Sequence, residues 1–220
     1  MIKIKNIATI FSQHKIVYSV LGVLFVCGAF LRLWQFSPLM HFELDQARDM
    51  FVVYDMVEGG AHDIPLIGPQ ARGRELYLGP LFYYFSYVSA RLFGVSPETV
   101  ALPDVLFSLC AIPLFYLFTR RFFDRPLSCG MTGIVAVSLF LVIYGRFAWN
   151  PNSMFFWSLV TFYSILRAWD GTQLKRGWFA SAVVGLAVVT QLHFVAFIAA
   201  PATFIAYMLC TRMRVPLGTA

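Results

Sequence analysis

The stretch HFELDQARDMFVVYDMVEGG, residues 41–60, decides how the rest of the chain is interpreted. On a helical wheel turning about 100° per residue, its polar side holds Asp45, Arg48, Asp49, Val52 and Asp55. Its opposite side is apolar and holds Ala47, Met50, Phe51, Tyr54 and Val57. Two glycines then provide a stop signal. The pattern predicts a short amphipathic helix that lies along a membrane surface, with Asp45 facing water.

The composition of the whole chain is that of a membrane protein. Hydrophobic residues make up 59% of it and charged residues only 13%, with a mean hydropathy of +0.71. Because a soluble domain carries about 25% charged residues, the sequence predicts a polytopic membrane protein. The net charge of +6 then reports topology and contact with anionic lipids. A nucleic-acid partner is not expected, since the chain lacks the basic and aromatic surface that such binding uses.

Six apolar segments are candidate membrane spans, and most of them approach the roughly 20 residues that a span requires, while the last two are short. They are residues 16–34, 100–119, 127–144, 153–169, 178–192 and 194–210. The segment 80–93 is also apolar, but its 14 residues reach only about 21 Å as a helix. A hydrocarbon core is about 30 Å thick, so this segment is predicted to rest at the interface.

The distribution of lysine and arginine selects one topology. If residues 80–93 do not cross, eleven of the 17 basic residues lie in the cytoplasm and six outside; if they cross, the numbers become five and twelve. The positive-inside rule favours the first arrangement. The predicted fold class is therefore all-α, with residues 1–220 forming one membrane domain of about six transmembrane helices and both termini in the cytoplasm. A long extracytoplasmic loop, 35–99, contains interfacial helices near 45–58 and 80–93.

This topology gathers polar side chains on the outer face. They are Asp45, Arg48, Asp49, Arg91, Arg146, Asn150, Gln191 and His193. Polar groups near a membrane boundary are often functional, yet structural explanations stay open. Asp45 and Arg48 would form a solvated ion pair, and Asp49 would be an exposed helix residue. The other arginines would be snorkelling anchors, Asn150 part of a turn, and His193 a satisfied interfacial histidine.

Metal-ligand signatures are weak. The cysteines lie in apolar runs without pairing or ligand spacing, which indicates packing; they are Cys27, Cys110, Cys129 and Cys210. His41, Asp45 and Asp49 follow one another at four-residue intervals and would suit a divalent metal, but three such ligands leave its shell incomplete. The sequence therefore predicts no metal site and no cofactor, with a divalent metal as the alternative.

Several motifs occur in an order typical of one superfamily. An Arg-Leu pair ends the first span, DQARD (45–49) opens the interfacial helix, GPLFYY (79–84) and LFG (92–94) follow, and residues 146–152 precede an aromatic span. This arrangement resembles the GT-C superfamily of membrane glycosyltransferases. It looks closest to the bacterial branch related to protein O-mannosyltransferases and to the lipid A aminoarabinose transferase, and the likeness covers nearly all 220 residues.

The resemblance implies an enzyme that takes its sugar from a polyprenyl phosphate on the outer side of the cytoplasmic membrane. In that family the aspartate that opens the first interfacial helix is catalytic, and Asp45 occupies this position. The chain departs from the pattern at Gln46, where an Asp-Glu pair is common. It also departs at Gly79, which replaces a phosphate-binding lysine, and at Asn150, which replaces a second aspartate. Because family members are much longer, the chain is expected to be an N-terminal module, a fragment or a short member.

The chemistry of such a transfer needs few groups. An attacking hydroxyl requires one base, whereas a lipid phosphate leaves as a stable anion and requires no general acid. Asp45 is the predicted general base, and displacement in one step would invert the anomeric carbon. Arginine forks match phosphate oxygens, so the departing phosphate is assigned to Arg48, Arg91 and Arg146, with Asp49, Asn150 and His193 as further substrate contacts. The acceptor is a lipid, a glycan or a protein.

Two other classes of function remain as alternatives. A transporter or flippase for a lipid-linked substrate would need ionisable residues in mid-membrane, and the predicted spans carry almost none, with Asp104 close to the end of one. A non-catalytic membrane subunit that assists a larger transferase would suit the short chain.

Overall fold

The computed structural model describes residues 7–70, 76–170 and 174–193. Its helices are α1 (Ile7–Leu33), α2 (Leu44–Gly59), a 3₁₀ helix (Gly60–Asp63), α3 (Leu81–Phe93), α4 (Pro97–Thr119), α5 (Arg125–Val137), α6 (Leu139–Tyr144), α7 (Met154–Trp169) and α8 (Lys175–Leu192). These ranges contain no β-strand, although Gln70 and Tyr77 form an isolated antiparallel bridge. The all-helical fold class is therefore confirmed for the described residues.

Within the part of the chain that the structure describes, two helices are long and apolar enough to cross a membrane. They are Lys15–Leu33, within α1, and Pro97–Thr119, which is α4. Both coincide with predicted spans. The predicted span 194–210 lies outside the described residues, so a bundle of six transmembrane helices stays a prediction.

Helices α2 and α3 occupy the positions predicted for the two interfacial helices, but the predicted orientation of α2 is wrong in part. The buried residues of α2 are Gln46, Asp49, Val53 and Met56. Asp49 therefore faces the interior instead of water. The physical reason is that α3 packs on this face of α2 and contributes Phe82 and Tyr83 to the same apolar cluster as Val53 and Met56.

Local interactions fix the two ends of α2. The backbone N–H of Glu43 donates to Oε1 of Gln46 at 3.0 Å, which is half of a capping box and satisfies a donor at the helix start. Asp45 consequently lies in the first turn, where a carboxylate interacts favourably with the helix dipole. At the other end, Gly60 has φ +75°, a conformation that L residues with a Cβ rarely adopt.

The predicted span 127–144 is interrupted, which the sequence did not indicate. α5 ends at Val137 and α6 begins at Leu139. Arg32 of α1 donates from Nη1 to the Ala136 carbonyl at 2.8 Å, the acceptor that residue 140 would use in a continuous helix. The same guanidinium donates to Ser108 Oγ of α4 at 2.7 Å. Arg32, fully buried, thus joins three helices at the break.

One end of the bundle collects the segments that were predicted to share the outer face. The backbone N–H of Gly79 donates to the Gln191 carbonyl at the end of α8, at 3.0 Å. A Cβ on Gly79 would lie 2.6 Å from Cβ of Gln191, so only glycine permits this approach. The opposite end joins α4 to α7, because Arg121 and Asp170 form a salt bridge of 2.6 Å.

Candidate active site

Asp45 is an accessible carboxylate at the end of the bundle that holds the outer-face segments. Its side chain is 57% exposed, and its Oδ1 accepts a hydrogen bond from Nη1 of Arg48 at 3.1 Å. The i,i+3 ion pair predicted for these residues is thus confirmed. Because an exposed pair of this kind contributes at most about 1 kcal/mol, Asp45 stays free to exchange partners.

Asp49 has the opposite environment. Its side chain is completely buried, and its Oδ1 accepts hydrogen bonds from Nε and Nη2 of Arg48 at 2.9 and 2.8 Å. The hydroxyl of Tyr83 donates to the same oxygen at 3.1 Å, while Oδ2 of Asp49 has no hydrogen-bond partner among the described residues. A single guanidinium therefore lies between an exposed carboxylate and a buried one.

The pKa shifts follow from this difference in burial. Burial raises the pKa of the Asp49 carboxyl above its ordinary range, while the hydrogen bonds from Arg48 and Tyr83 oppose the rise. Burial, together with the neighbouring Asp49 charge, raises the pKa of the Tyr83 hydroxyl, so that it stays a hydrogen-bond donor. For Arg48, burial lowers the pKa, but the bond and charge of Asp49 outweigh it and the net shift is upward.

Both terminal nitrogens of Arg146 bind backbone carbonyls, while its Nε has no hydrogen-bond partner among the described residues. Its Nη1 donates to the Leu31 carbonyl at 2.8 Å, and its Nη2 donates to the carbonyls of Trp34 and Gln35 at 2.7 and 2.8 Å. Leu31 lies in the last turn of α1, where carbonyls have no partner within the helix, and Trp34 and Gln35 follow the helix directly. Arg146 is buried, and desolvation lowers its pKa. The geometry gives it a capping role, and its predicted contact with phosphate stays a prediction.

Asn150 lies in the loop between α6 and α7, which packs against the segment before α2. The ring of His41 contacts that of Phe147 at 5.0 Å between centroids. The backbone N–H of Trp149 donates to Oδ2 of Asp104 at 3.1 Å. Asn150 is buried, and its Nδ2 has no hydrogen-bond partner within the described ranges.

A cavity of about 320 Å³ adjoins the same loop. Half of its lining residues are aromatic, among them Tyr144, Trp149, Phe155 and Phe156. No charged side chain is among the described residues that line it. An anionic phosphate would find no counter-charge there, whereas Arg48 offers one beside Asp45.

A protein-family model matches more than half of the chain. Residues 78–219 match the model of the family described as dolichyl-phosphate-mannose-protein mannosyltransferase. The chain belongs to this mannosyltransferase family. The family is of the GT-C type, as the motifs predicted, and together with the apolar helices it indicates a membrane-embedded protein. Tyr83, Arg146 and Asn150 lie inside the matched region, while Asp45 and Arg48 precede it.

One solved structure resembles this member of the mannosyltransferase family over most of its length. It is the oligosaccharyltransferase of Archaeoglobus fulgidus, tethered with an acceptor peptide containing the NVT sequon via a disulfide bond. The TM-score is 0.65 at 19% sequence identity, and the alignment covers 88% of this chain and 26% of that one. The likeness shows a shared fold, and the chain spans about a quarter of the length of that structure. No curated protein matches the chain.

The remaining predicted site residues of this mannosyltransferase-family chain lie at the ends of other helices. Arg91 is exposed in the last turn of α3, two turns beyond Tyr83 and therefore about 12 Å further along the helix axis. His193 follows α8 and is partly buried. The structure thus brings together Asp45, Arg48 and Asp49, while the roles predicted for Arg91 and His193 stay predictions.

The metal site considered for His41, Asp45 and Asp49 is not assembled. His41 instead lies 3.5 Å from Glu43, and Asp49 is turned toward Arg48 and Tyr83. Throughout residues 7–70, 76–170 and 174–193, no group of three or more His, Cys, Asp or Glu side chains has a metal-binding arrangement.

Tyr83 was missed as a member of the site, although the sequence carried a signal for it. Ser86 and Ala90 follow it at helical spacing, and small residues at such positions mark a face that packs closely. The structure buries all three. Because a buried tyrosine hydroxyl usually finds a hydrogen-bond partner, a polar residue of a neighbouring helix was to be expected opposite it.

Proposed function

We propose that the protein is a membrane glycosyltransferase that moves a sugar from a polyprenyl-phosphate donor to an acceptor on the outer side of the cytoplasmic membrane. The observation that carries the proposal is the position of Asp45. It is an exposed carboxylate in the first turn of α2, ion-paired with Arg48, in a chain of the mannosyltransferase family.

The proposed reaction is a single displacement with inversion. The acceptor hydroxyl gives its proton to Asp45 as its oxygen bonds to the anomeric carbon, and the bond from that carbon to the phosphate oxygen breaks. The lipid phosphate leaves with the electron pair and needs no general acid. Arg48, with 46% of its side chain exposed, is the cation proposed to attract the phosphate.

The membrane topology belongs to the same proposal. Six spans with both termini in the cytoplasm would put α2 and α3 at the outer surface, where a lipid-linked donor presents its headgroup. The acceptor is a peptide, a glycan or a lipid. A peptide is the first to be assayed, because the structurally similar oligosaccharyltransferase is tethered with one.

The test compares two aspartates of α2 in a transfer assay. Membranes that contain the protein are incubated with radiolabelled polyprenyl-phosphate mannose and candidate acceptors. Asp45→Asn should lower transfer by about 10²–10⁴-fold, the usual contribution of a general base. Asp55→Asn is the matched control, because Asp55 is an exposed carboxylate on the same helix. Equal transfer by Asp45→Asn and wild type would refute the base.

A non-catalytic membrane subunit is the second candidate. The chain covers only 26% of the similar oligosaccharyltransferase. In that case neither the wild type nor its variants would transfer label alone, and activity would require a partner purified from the same membranes.

A further inference from the structure

The guanidinium of Arg48 makes an unequal number of hydrogen bonds to two carboxylates. Asp49 receives two hydrogen bonds from the guanidinium, at 2.9 and 2.8 Å, and Asp45 receives one at 3.1 Å. Charge-assisted bonds are stronger when water is excluded, and Asp49 is fully buried whereas Asp45 is more than half exposed. Asp49 therefore determines where the guanidinium lies.

The position of Asp49 is fixed in turn by α3. The Tyr83 hydroxyl donates to the same Oδ1 at 3.1 Å, and Tyr83 is itself buried in the cluster that holds α2 against α3. A carboxylate held by three donors on one oxygen has little freedom to rotate. Its second oxygen is buried and has no hydrogen-bond partner among the described residues, so the bonds to Oδ1 hold this rotamer.

We propose that Asp49 is a positioning residue that shares the Arg48 guanidinium with Asp45 and so keeps Asp45 able to accept a proton, with Tyr83 holding Asp49 in place. The proposal rests on the proposed function, in which Asp45 is the base.

The charge balance of the three side chains supports this role. With both carboxylates ionised, Arg48, Asp45 and Asp49 have a net charge of −1. When the acceptor proton reaches Asp45, the net charge becomes zero, and Arg48 still has Asp49 as its counter-charge. Without Asp49, Arg48 would pair with Asp45 alone, and each proton transfer would leave an uncompensated cation. An opposite charge held by one carboxylate makes that carboxylate a weaker base.

Other ionisable groups around α2 have other partners or lie at its far end. Glu43, which precedes α2, is paired with His41 at 3.5 Å. Asp63 of the 3₁₀ helix approaches Gly59, at the far end of α2. From α4, the residues in the shared cluster are the uncharged Val100 and Ala101. The environment of Asp45 is therefore set by Arg48, Asp49 and Tyr83.

The test measures the protonation of Asp45 directly. Carbodiimides react with protonated carboxyl groups, so the purified full chain in detergent is modified over a series of pH values and digested with trypsin. Cleavage after Arg48 separates the peptide of Asp45 from that of Asp49, and fragment spectra distinguish Asp45 from Glu43. The midpoint of Asp45 modification is then read without any need for transferase activity.

Asp49→Asn should move the Asp45 midpoint to lower pH by about one unit, because Arg48 then pairs with Asp45 alone. Tyr83→Phe should give a smaller shift in the same direction, and Asp55→Asn should give none. An unchanged midpoint in Asp49→Asn would overturn the proposal. If Asp49→Asn does not fold, Tyr83→Phe decides: a shift supports the proposal, and no shift overturns it.

The transfer assay separates this inference from the proposed function. In an active protein, the acidic limb of the kcat/KM profile should move to lower pH in Asp49→Asn, as the modification midpoint does. A shifted midpoint in a protein that transfers no sugar would contradict the proposed function and leave the positioning role of Asp49 intact.

Discussion

Asp45 and Asp49 show how burial gives two different roles to the same side chain one helical turn apart. The exposed carboxylate can reach a substrate, while the buried one can act only through the groups that touch it. Sites that perform acid–base chemistry often hold two carboxylates in different environments. Arg48 links the two by hydrogen bonds to both carboxylates.

At this scale the sequence predicted one contact and missed another. The Asp45–Arg48 pair followed from i,i+3 spacing, which depends on α2 alone. The burial of Asp49 depends on which face of α2 meets α3, and helix periodicity does not contain that information. Phe51 and Tyr54, assigned to the apolar side, are 67% and 48% exposed, because α3 covers the other face.

Replacement of Arg146 by methionine should destabilise the protein. The Leu31, Trp34 and Gln35 carbonyls would lose their bonds from the guanidinium, and Gln35 would keep only the bond from the Leu39 N–H. Hydrogen bonds from a charged group contribute about 1.5–3 kcal/mol each at most. A net loss of about 3 kcal/mol would lower the Tm by roughly 6–12 °C for a chain of this size. Circular dichroism during heating in detergent measures this change.

Arg91→Met is the matched control for that experiment, because Arg91 is exposed. Its Tm should stay near that of the wild type. If both variants melt at the wild-type temperature while Arg146→Met loses donor affinity, Arg146 binds phosphate and does not cap α1.

At the scale of helices, the boundaries were largely predictable and the interruption of one helix was not. α4 and α7 match the predicted spans closely, since apolar runs and their flanking caps are local signals. The break at Ser138 lacks the proline or glycine that usually marks one. It coincides instead with the bond from Arg32 to Ala136, a contact over 104 positions of sequence.

The close packing of α7 on α8 should depend on Gly185. A Cβ there would lie 2.5 Å from Oγ1 and 3.2 Å from the backbone nitrogen of Thr161. Gly185→Ala should therefore lower the free energy of unfolding by about 1–3 kcal/mol, the usual cost of overpacking. Reversible unfolding in detergent, followed by tryptophan fluorescence, measures it.

Gly177→Ala provides the comparison for Gly185→Ala. Gly177 is exposed in α8, and a Cβ there would meet nothing within 4 Å. Its stability should be unchanged or raised by up to about 1 kcal/mol, because alanine is the better helix former. Equal effects of both substitutions would mean that α7 and α8 do not pack through Gly185.

At the scale of the whole molecule, long-range contacts show that the helix ends form two groups, one at each end of the bundle. Gly79 meets the end of α8, and Arg146 meets the end of α1. Arg121 meets Asp170 at the other end. The basic-residue bias had predicted this grouping of segments, because each traversal of a membrane reverses the side on which the next loop lies. The side that faces the cytoplasm follows from the bias alone and stays a prediction.

Cysteine labelling should resolve the orientation. In a chain whose four cysteines are replaced by serine, Lys175→Cys should react with a membrane-impermeant maleimide only after lysis. Leu66→Cys, at a position that is 85% exposed, should react in intact cells. Mass spectrometry measures both. Labelling of Lys175→Cys in intact cells would reverse the proposed topology and place Asp45 on the wrong side for the proposed reaction.

The cap that Arg146 places on α1 has a consequence for the order of events during synthesis. The donor to the Trp34 carbonyl is Arg146, which is 112 positions later in the sequence. At about 5–20 residues per second, the ribosome needs roughly 6–22 s to reach it. Water and lipid headgroups must solvate the end of α1 until then. The end of α1 is therefore synthesised well before the arginine that caps it.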